Sequence, residues 1–103
     1  MLALKAHPLV RVDLRSAFNW YEDQRPGLGL EFLIEFRRAY RRLRHNPLHY
    51  SVRFATVRRI NLGRFPYGVF FVVRTMELRL LAVLHASRDT KGILAERRVA
   101  FTQ

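Results

Sequence analysis

The chain contains no cysteine, only eight acidic residues, and no long apolar stretch. Without cysteine, neither disulfides nor thiolate metal sites can hold the fold. The longest apolar run, VFFVV at residues 69–73, falls far short of the roughly 20 residues that a transmembrane helix needs. The N-terminal residues reach charged side chains too soon for a signal peptide. These absences predict a soluble cytoplasmic protein that does not associate with membranes.

The signatures of common enzymes are also missing. The sequence has no glycine-rich phosphate loop, no Walker lysine and no nucleophile elbow. His45 and His49 are four residues apart, but Asn46 and Pro47 between them prevent the shared helical face that metal ligands at this spacing use. We therefore expect no metal site and no cofactor. The residues alone leave open whether the protein is an enzyme.

The strongest positive signal is basic charge. Lys and Arg number 19 against eight acids, which gives a formal net charge of +11 over 103 residues. Such a surface attracts polyanions, including nucleic acid, the ribosome or an acidic protein, although solubility alone could also explain it. Half of the residues are hydrophobic, so the chain can build a core, and its length predicts one domain over residues 1–103.

The first half of the sequence has helical periodicity. A short strand at residues 2–6 precedes a helix over about residues 8–24, and RPGLG at residues 25–29 breaks that helix. A second helix then runs to HNPLHY at residues 45–50, where Pro47 disfavours further helix. Its inward residues are predicted to be Leu28, Phe32, Leu33, Phe36, Tyr40 and Leu43. Its other side carries Arg37, Arg38, Arg41, Arg42 and Arg44.

The second half changes to a period of two residues. Strands are predicted at about residues 57–62, 67–74 and 78–85, with connections short enough for an antiparallel meander. Residues 90–98 can form a short helix. The predicted fold class is α+β, with an N-terminal strand and an α-helical hairpin packed on a twisted, mainly antiparallel sheet, and a short C-terminal helix.

Two sets of residues are expected to form the core. The sheet contributes Phe71, Val73, Leu80 and Ala82, and the second helix packs Phe32, Phe36, Tyr40 and Leu43 against them. If Phe36 is fully buried, its replacement by alanine should cost about 3–5 kcal/mol of stability.

Basic and titratable side chains recur along the predicted strands. An RNA-cleaving site could be built from such groups, because His or Tyr can move protons and Arg can stabilise charge on a phosphate. Alternatively, the arginines are only the outward half of alternating strands. The residues concerned are Arg58, Arg59, Arg64, Tyr67, Arg74, Arg79, His85 and Arg88.

Four segments, in order, resemble one known family. WYEDQRPGLGLEF (20–32), NPLHY (46–50), VRRINLGRFPYGVFFVV (57–73) and LAVLHASRD (81–89) are similar to the RelE/ParE superfamily of toxins from bacterial type II toxin–antitoxin systems. The resemblance implies the fold predicted above. It also implies growth inhibition, a role such as plasmid stabilisation, and neutralisation by a cognate antitoxin.

The superfamily contains two activities. RelE-like members cut mRNA on the ribosome, whereas ParE-like members poison DNA gyrase. RelE-type toxins commonly carry an arginine after the tyrosine that matches Tyr67, and a tyrosine in the tail; here Gly68 and KGIL at residues 91–94 occupy those places. The resemblance therefore favours a gyrase poison over a ribosome-dependent endonuclease. A non-toxic basic nucleic-acid-binding module is a further alternative.

The candidate residues differ between these readings. If the protein cleaves RNA, the catalytic candidates are His85, Arg64, Arg88 and Tyr67. Binding of the cellular target or the antitoxin is expected to involve Arg37, Arg38, Arg41, Arg42, Arg58, Arg59, Arg64 and Arg74.

Overall fold

Along the chain, a short strand and two helices precede four strands and a final helix. The computed structural model describes the backbone of residues 2–102 and the side chains of residues 2–99; Met1 and Gln103, which the predicted domain includes, lie outside the described residues. The elements are β1 (Ala3–Ala6), α1 (Leu9–Gln24), α2 (Leu28–His45), a 3₁₀ turn (Pro47–His49), β2 (Val52–Phe54), β3 (Val57–Asn61), β4 (Tyr67–Arg74), β5 (Glu77–His85) and α3 (Thr90–Thr102). The α+β fold is confirmed, and α3 is longer than expected.

Two glycines shape the turn between α1 and α2. Gly27 has a φ of 88°, a left-handed conformation that glycine adopts without a steric penalty. The backbone N–H groups of Gly27 and Gly29 each donate to the Glu22 carboxylate at 2.9 Å, which caps the start of α2. A Cβ atom on Gly29 would lie 2.8 Å from the carbonyl oxygen of Phe18, so glycine is needed for the two helices to approach this closely.

The sheet has the order β1-β5-β4-β3-β2. β1 runs parallel to β5, and the other neighbouring strands are antiparallel, which confirms a mainly antiparallel sheet. β2 pairs with β3 only at Val57 and Arg58. The backbone N–H of Arg59 donates to the carbonyl oxygen of Ser51, just before β2, at 3.4 Å, and Ile60 and Asn61 extend past this short edge strand.

Core side chains lie on both faces of the sheet, because successive residues of a strand point to opposite faces, and a β-bulge in β5 interrupts this alternation once. Phe70 pairs with Ala82 and Phe71 pairs with Leu80, so Leu81 is the extra residue. The cluster on the α1–α2 side includes Phe32, Leu43, Val69, Phe71, Leu78, Leu80 and Val83. The cluster on the α3 side contains Val57, Phe70, Val72, Leu81, Ala82, Leu84 and Leu94. The sheet is therefore covered by the helical hairpin on one face and by α3 on the other.

The burial of α2 differs in part from expectation. Phe32 and Leu43 are fully buried, but Phe36 and Tyr40 are only partly buried at the edge of the core. The condition attached to the predicted cost of Phe36→Ala is therefore not met. In the sheet, Phe71, Leu80 and Ala82 are buried as expected, whereas Val73 is only half-buried.

None of the helices in the described part of the chain combines the length and the apolar content that crossing a bilayer requires.

Candidate functional site

Three of the four nuclease candidates meet at one end of the sheet. Tyr67 begins β4 and pairs directly with His85, the last residue of β5. Both side chains line a cavity of about 270 Å³, and Arg88 lines it from the following turn. Asp13 and Arg97 also line this cavity, which we call the strand-end cavity.

The Tyr67 ring is part of an aromatic cluster. Its centroid lies 5.1 Å from that of Phe32, 6.0 Å from that of Tyr21 and 5.2 Å from that of His85. Burial raises the pKa of Tyr67, and Arg88 partly opposes this shift. The phenol is therefore protonated near neutral pH, where it can donate a hydrogen bond but cannot serve as a base.

His85 is oriented by the turn that follows it. Its Nδ1 atom accepts a hydrogen bond from the backbone N–H of Ser87 at 3.0 Å and lies 2.8 Å from the Ser87 hydroxyl oxygen. Because Nδ1 acts as an acceptor, the neutral ring carries its proton on Nε2. The arrangement could support proton transfer, but it also serves as an ordinary cap for the end of β5.

The fourth nuclease candidate lies elsewhere. Arg64 donates to Glu31 at 2.7 Å, and this hydrogen bond raises the pKa of Arg64 and lowers the pKa of Glu31. Glu31 also accepts a hydrogen bond from Arg25 at 2.9 Å. Arg64 lines a different cavity of about 420 Å³, which it shares with Arg59 and Tyr67. The structure therefore does not bring Arg64 together with His85 and Arg88.

The arginines predicted to bind a partner fall into separate groups. Arg37, Arg38, Arg41 and Arg42 are exposed along α2, where Arg38 contacts Glu35 at 3.4 Å. Arg74 is exposed at the far end of β4. Arg58 donates to the carbonyl oxygen of Tyr50 at 2.7 Å, so its guanidinium is engaged in holding the segment before β2.

The side chain of Arg59 packs against defined neighbours on the sheet. Its guanidinium carbon lies 5.3 Å from the centroid of the Phe70 ring, and its Nε donates to Asn61 at 2.6 Å. A Cβ atom at position 68 would lie 2.6 Å from Nε of Arg59. Gly68 is therefore explained by this packing, because any side chain there would displace the arginine.

Sequence reasoning missed a buried ion pair beside the strand-end cavity. Asp13 and Arg97 approach to 2.6 Å, with side chains 8% and 10% exposed. Asp13 also accepts from the backbone N–H of Val83 at 2.9 Å, and Arg97 donates to the carbonyl oxygen of Leu81 at 3.1 Å. The available signal was weak: an acidic residue on the apolar face of α1, with its partner 84 residues away.

A second groove is mainly apolar. It measures about 320 Å³ and runs between β1 and the two helices, with Leu4, Val10, Leu14, Phe36, Tyr40 and Leu80 among its lining residues. Leu4 lies on the edge strand β1 and is 37% exposed. We call this feature the apolar groove.

No group of three or more His, Asp or Glu side chains is placed to hold a metal ion within the described residues.

Comparisons with known proteins identify the family. Residues 4–90 match the family described as ParE toxin of type II toxin–antitoxin system, parDE. The fold is similar to a chain from the chromosomal ParDE toxin–antitoxin system of P. aeruginosa, with a TM-score of 0.74 and 20% sequence identity. That alignment covers 82% of this chain and 96% of the other. No curated protein sequence matches significantly. The chain belongs to the ParE toxin family of type II toxin–antitoxin systems.

Proposed function

We propose that this toxin arrests growth by binding DNA gyrase, and that a cognate antitoxin neutralises it. The choice of gyrase rests on the environment of Gly68. A ribosome-dependent nuclease of this superfamily commonly has an arginine at that place. Here position 68 is glycine, which leaves room for Arg59 to pack over Phe70 on the α3 side of the sheet. Tyr67 packs on the opposite side, against α1 and α2.

In this proposal the toxin acts through a binding surface and transfers no proton. Exposed arginines along α2 supply positive charge that steers association with an acidic surface. Arg37 and Arg41 are available for this role, because both are exposed and neither has an ion pair among the described residues, whereas Arg38 contacts Glu35. Arg58 is less suited, since its guanidinium is bound to the Tyr50 carbonyl oxygen.

Ribosome-dependent RNA cleavage is a second candidate function. Tyr67, His85 and Arg88 share the strand-end cavity, so a titratable group and a cation lie close together. A general acid or base typically contributes a factor of about 10² to 10⁴ to the rate of such a reaction. The two candidates therefore differ sharply in how much they depend on His85.

We expect His85→Gln to leave toxicity largely intact, because glutamine keeps hydrogen bonding but cannot titrate. The measurement is induction of wild-type and variant genes in cells, with a gyrase supercoiling assay and primer extension on translated mRNAs. The double charge reversal Arg37→Glu, Arg41→Glu should weaken gyrase inhibition by about tenfold or more through lost electrostatic steering.

The opposite pattern would make the protein an RNase. Codon-linked cuts that disappear in His85→Gln, with supercoiling unaffected by the wild-type toxin, would overturn the gyrase proposal.

The apolar groove is the proposed docking site of the antitoxin. Its walls combine side chains of α1, α2 and β5, while β1 offers the edge of a sheet. An amphipathic antitoxin segment that folds on binding could bury its apolar side there and direct acidic residues toward Arg11 at the rim. The net charge of +11 would speed association with such a segment, and added salt would slow it.

We expect Leu4→Glu to weaken antitoxin binding by about tenfold or more, because it places a charge against the apolar part of the partner. The measurement is titration of purified toxin with the product of the neighbouring gene. Leu30→Glu is the matched control, since Leu30 is 58% exposed and does not line the groove. Equal loss in the two variants would place the antitoxin elsewhere, and no binding by any neighbouring product would remove the antitoxin proposal.

A further inference from the structure

A polar groove lies where the end of α2 meets the outer edge of the sheet. It measures about 470 Å³, and its lining includes Arg42 of α2, His49 of the 3₁₀ turn, Arg53 of the edge strand β2, and Arg59 and Asn61 of β3. The uncovered end of β3, which extends past β2, forms part of its wall. We call this feature the cationic groove.

Among the residues that the structure describes, none of those lining this groove is acidic. Elsewhere on the molecule three carboxylates are engaged by cations: Glu31 contacts Arg25 and Arg64, Asp13 contacts Arg97, and Glu77 contacts Lys5 and Arg79. By contrast, the exposed side chains of Arg42 and Arg53 have no hydrogen bond or ion pair among the described residues. Three guanidinium groups therefore line one groove, and no described residue of its lining supplies a negative charge.

Within this cluster of positive charge, Arg59 is positioned by contacts with three residues of the sheet. Asn61 accepts its Nε–H at 2.6 Å, Phe70 lies beneath its guanidinium, and Gly68 leaves room for it. Burial and, secondarily, the positive charge of Arg53 lower the pKa of Arg59. An anion bound between Arg53 and Arg59 would offset the cost of desolvating Arg59 and the repulsion between the two guanidinium groups.

The groove continues into a second cavity. Arg59 and Asn61 also line the cavity of about 420 Å³ that contains Arg64. A continuous strip with cations along it suits a chain of anionic groups better than a single ion. The lining of the cationic groove is mainly polar, whereas a folding peptide segment needs apolar anchors, which the separate apolar groove provides.

We propose that the cationic groove and its continuation toward Arg64 bind the sugar–phosphate backbone of DNA. Arginine is suited to bidentate contact with phosphate oxygens, and Asn and His side chains add hydrogen bonds without selecting a sequence. The choice of DNA over RNA rests on the proposed gyrase target; the phosphodiester chemistry rests on the groove itself.

The test is direct binding of the purified toxin to a fluorescent 20-base-pair duplex, followed by anisotropy over a range of salt concentrations. Arg42→Gln with Arg53→Gln should weaken binding by about tenfold or more and reduce the salt slope by about 2. Arg15→Gln with Lys91→Gln is the matched control, because it removes the same charge from exposed residues outside the groove. The control should change affinity by less than about threefold.

A charge-neutral variant separates the shape of the groove from net charge. Gly68→Ala keeps every cation but displaces Arg59, so DNA affinity should fall while circular dichroism confirms the fold. Three results would overturn the proposal: equal loss in the two Gln pairs, tighter binding of poly-glutamate than of DNA, or tighter binding of an RNA duplex of the same sequence. Gyrase inhibition by the wild type is measured separately. DNA binding without inhibition would reject the gyrase target and keep the groove.

Discussion

Replacing Asp13 by asparagine is expected to lower the free energy of unfolding by about 3–5 kcal/mol, because it leaves the buried guanidinium of Arg97 without its counter-charge. Asparagine still offers an oxygen to the backbone N–H of Val83, so the main loss is electrostatic. Urea unfolding monitored by circular dichroism provides the measurement. This ion pair joins α1 to α3 beside β5, so hydrogen exchange in α3 should also increase.

Asp23 supplies the control for this prediction. It lies exposed on the same helix, and Asp23→Asn should change stability by less than about 0.5 kcal/mol. A loss below about 1 kcal/mol for Asp13→Asn would mean that water screens the pair and that α3 is not fastened by it.

The second large effect is expected at Phe32. This residue is fully buried, and its ring lies 5.5 Å from Tyr21, 5.4 Å from Phe65 and 5.1 Å from Tyr67 between centroids. Phe32→Ala removes the centre of the cluster and should cost about 3–5 kcal/mol, measured by the same urea titration.

Phe36→Ala is the matched comparison one helical turn later. Because Phe36 is only partly buried and lines the apolar groove, its replacement should cost roughly half as much or less. Equal losses at the two positions would mean that α2 is rotated relative to the sheet. The pair therefore tests the orientation of the helix, and Phe36 is also the position at which the sequence-based expectation of burial has to be revised.

Local patterns in the sequence predict much of the fold. The apolar spacing in residues 8–24 and the alternation in residues 67–74 report which face of each element is buried, because these periods follow from helix and strand geometry. The break at RPGLG follows in the same way from the conformational freedom of glycine. The four similar segments were sufficient to indicate the family, which the match over residues 4–90 confirms.

The candidate functional site was harder to predict from the sequence than the fold. Tyr67, His85 and Arg88 lie close to the ends of adjacent strands, so their meeting follows once the meander is assumed. Arg64 looked equivalent in the sequence, yet Glu31 on α2 binds it and holds it away from His85. The side-chain partner is 33 residues distant, and no local pattern reveals it.

What the sequence by itself determined is the class of elements, their order, the excess of basic charge and the family. Only the tertiary structure decided which charges are neutralised, since the pairing of Asp13 with Arg97 and the isolation of Arg42 and Arg53 depend on how distant elements pack. The tertiary structure also explains why position 68 is glycine, because a side chain there would collide with Arg59 of the neighbouring strand. Periodicity is a property of neighbouring residues, whereas charge compensation and close contact depend on sheet register and helix packing, which bring together residues that are far apart in the chain.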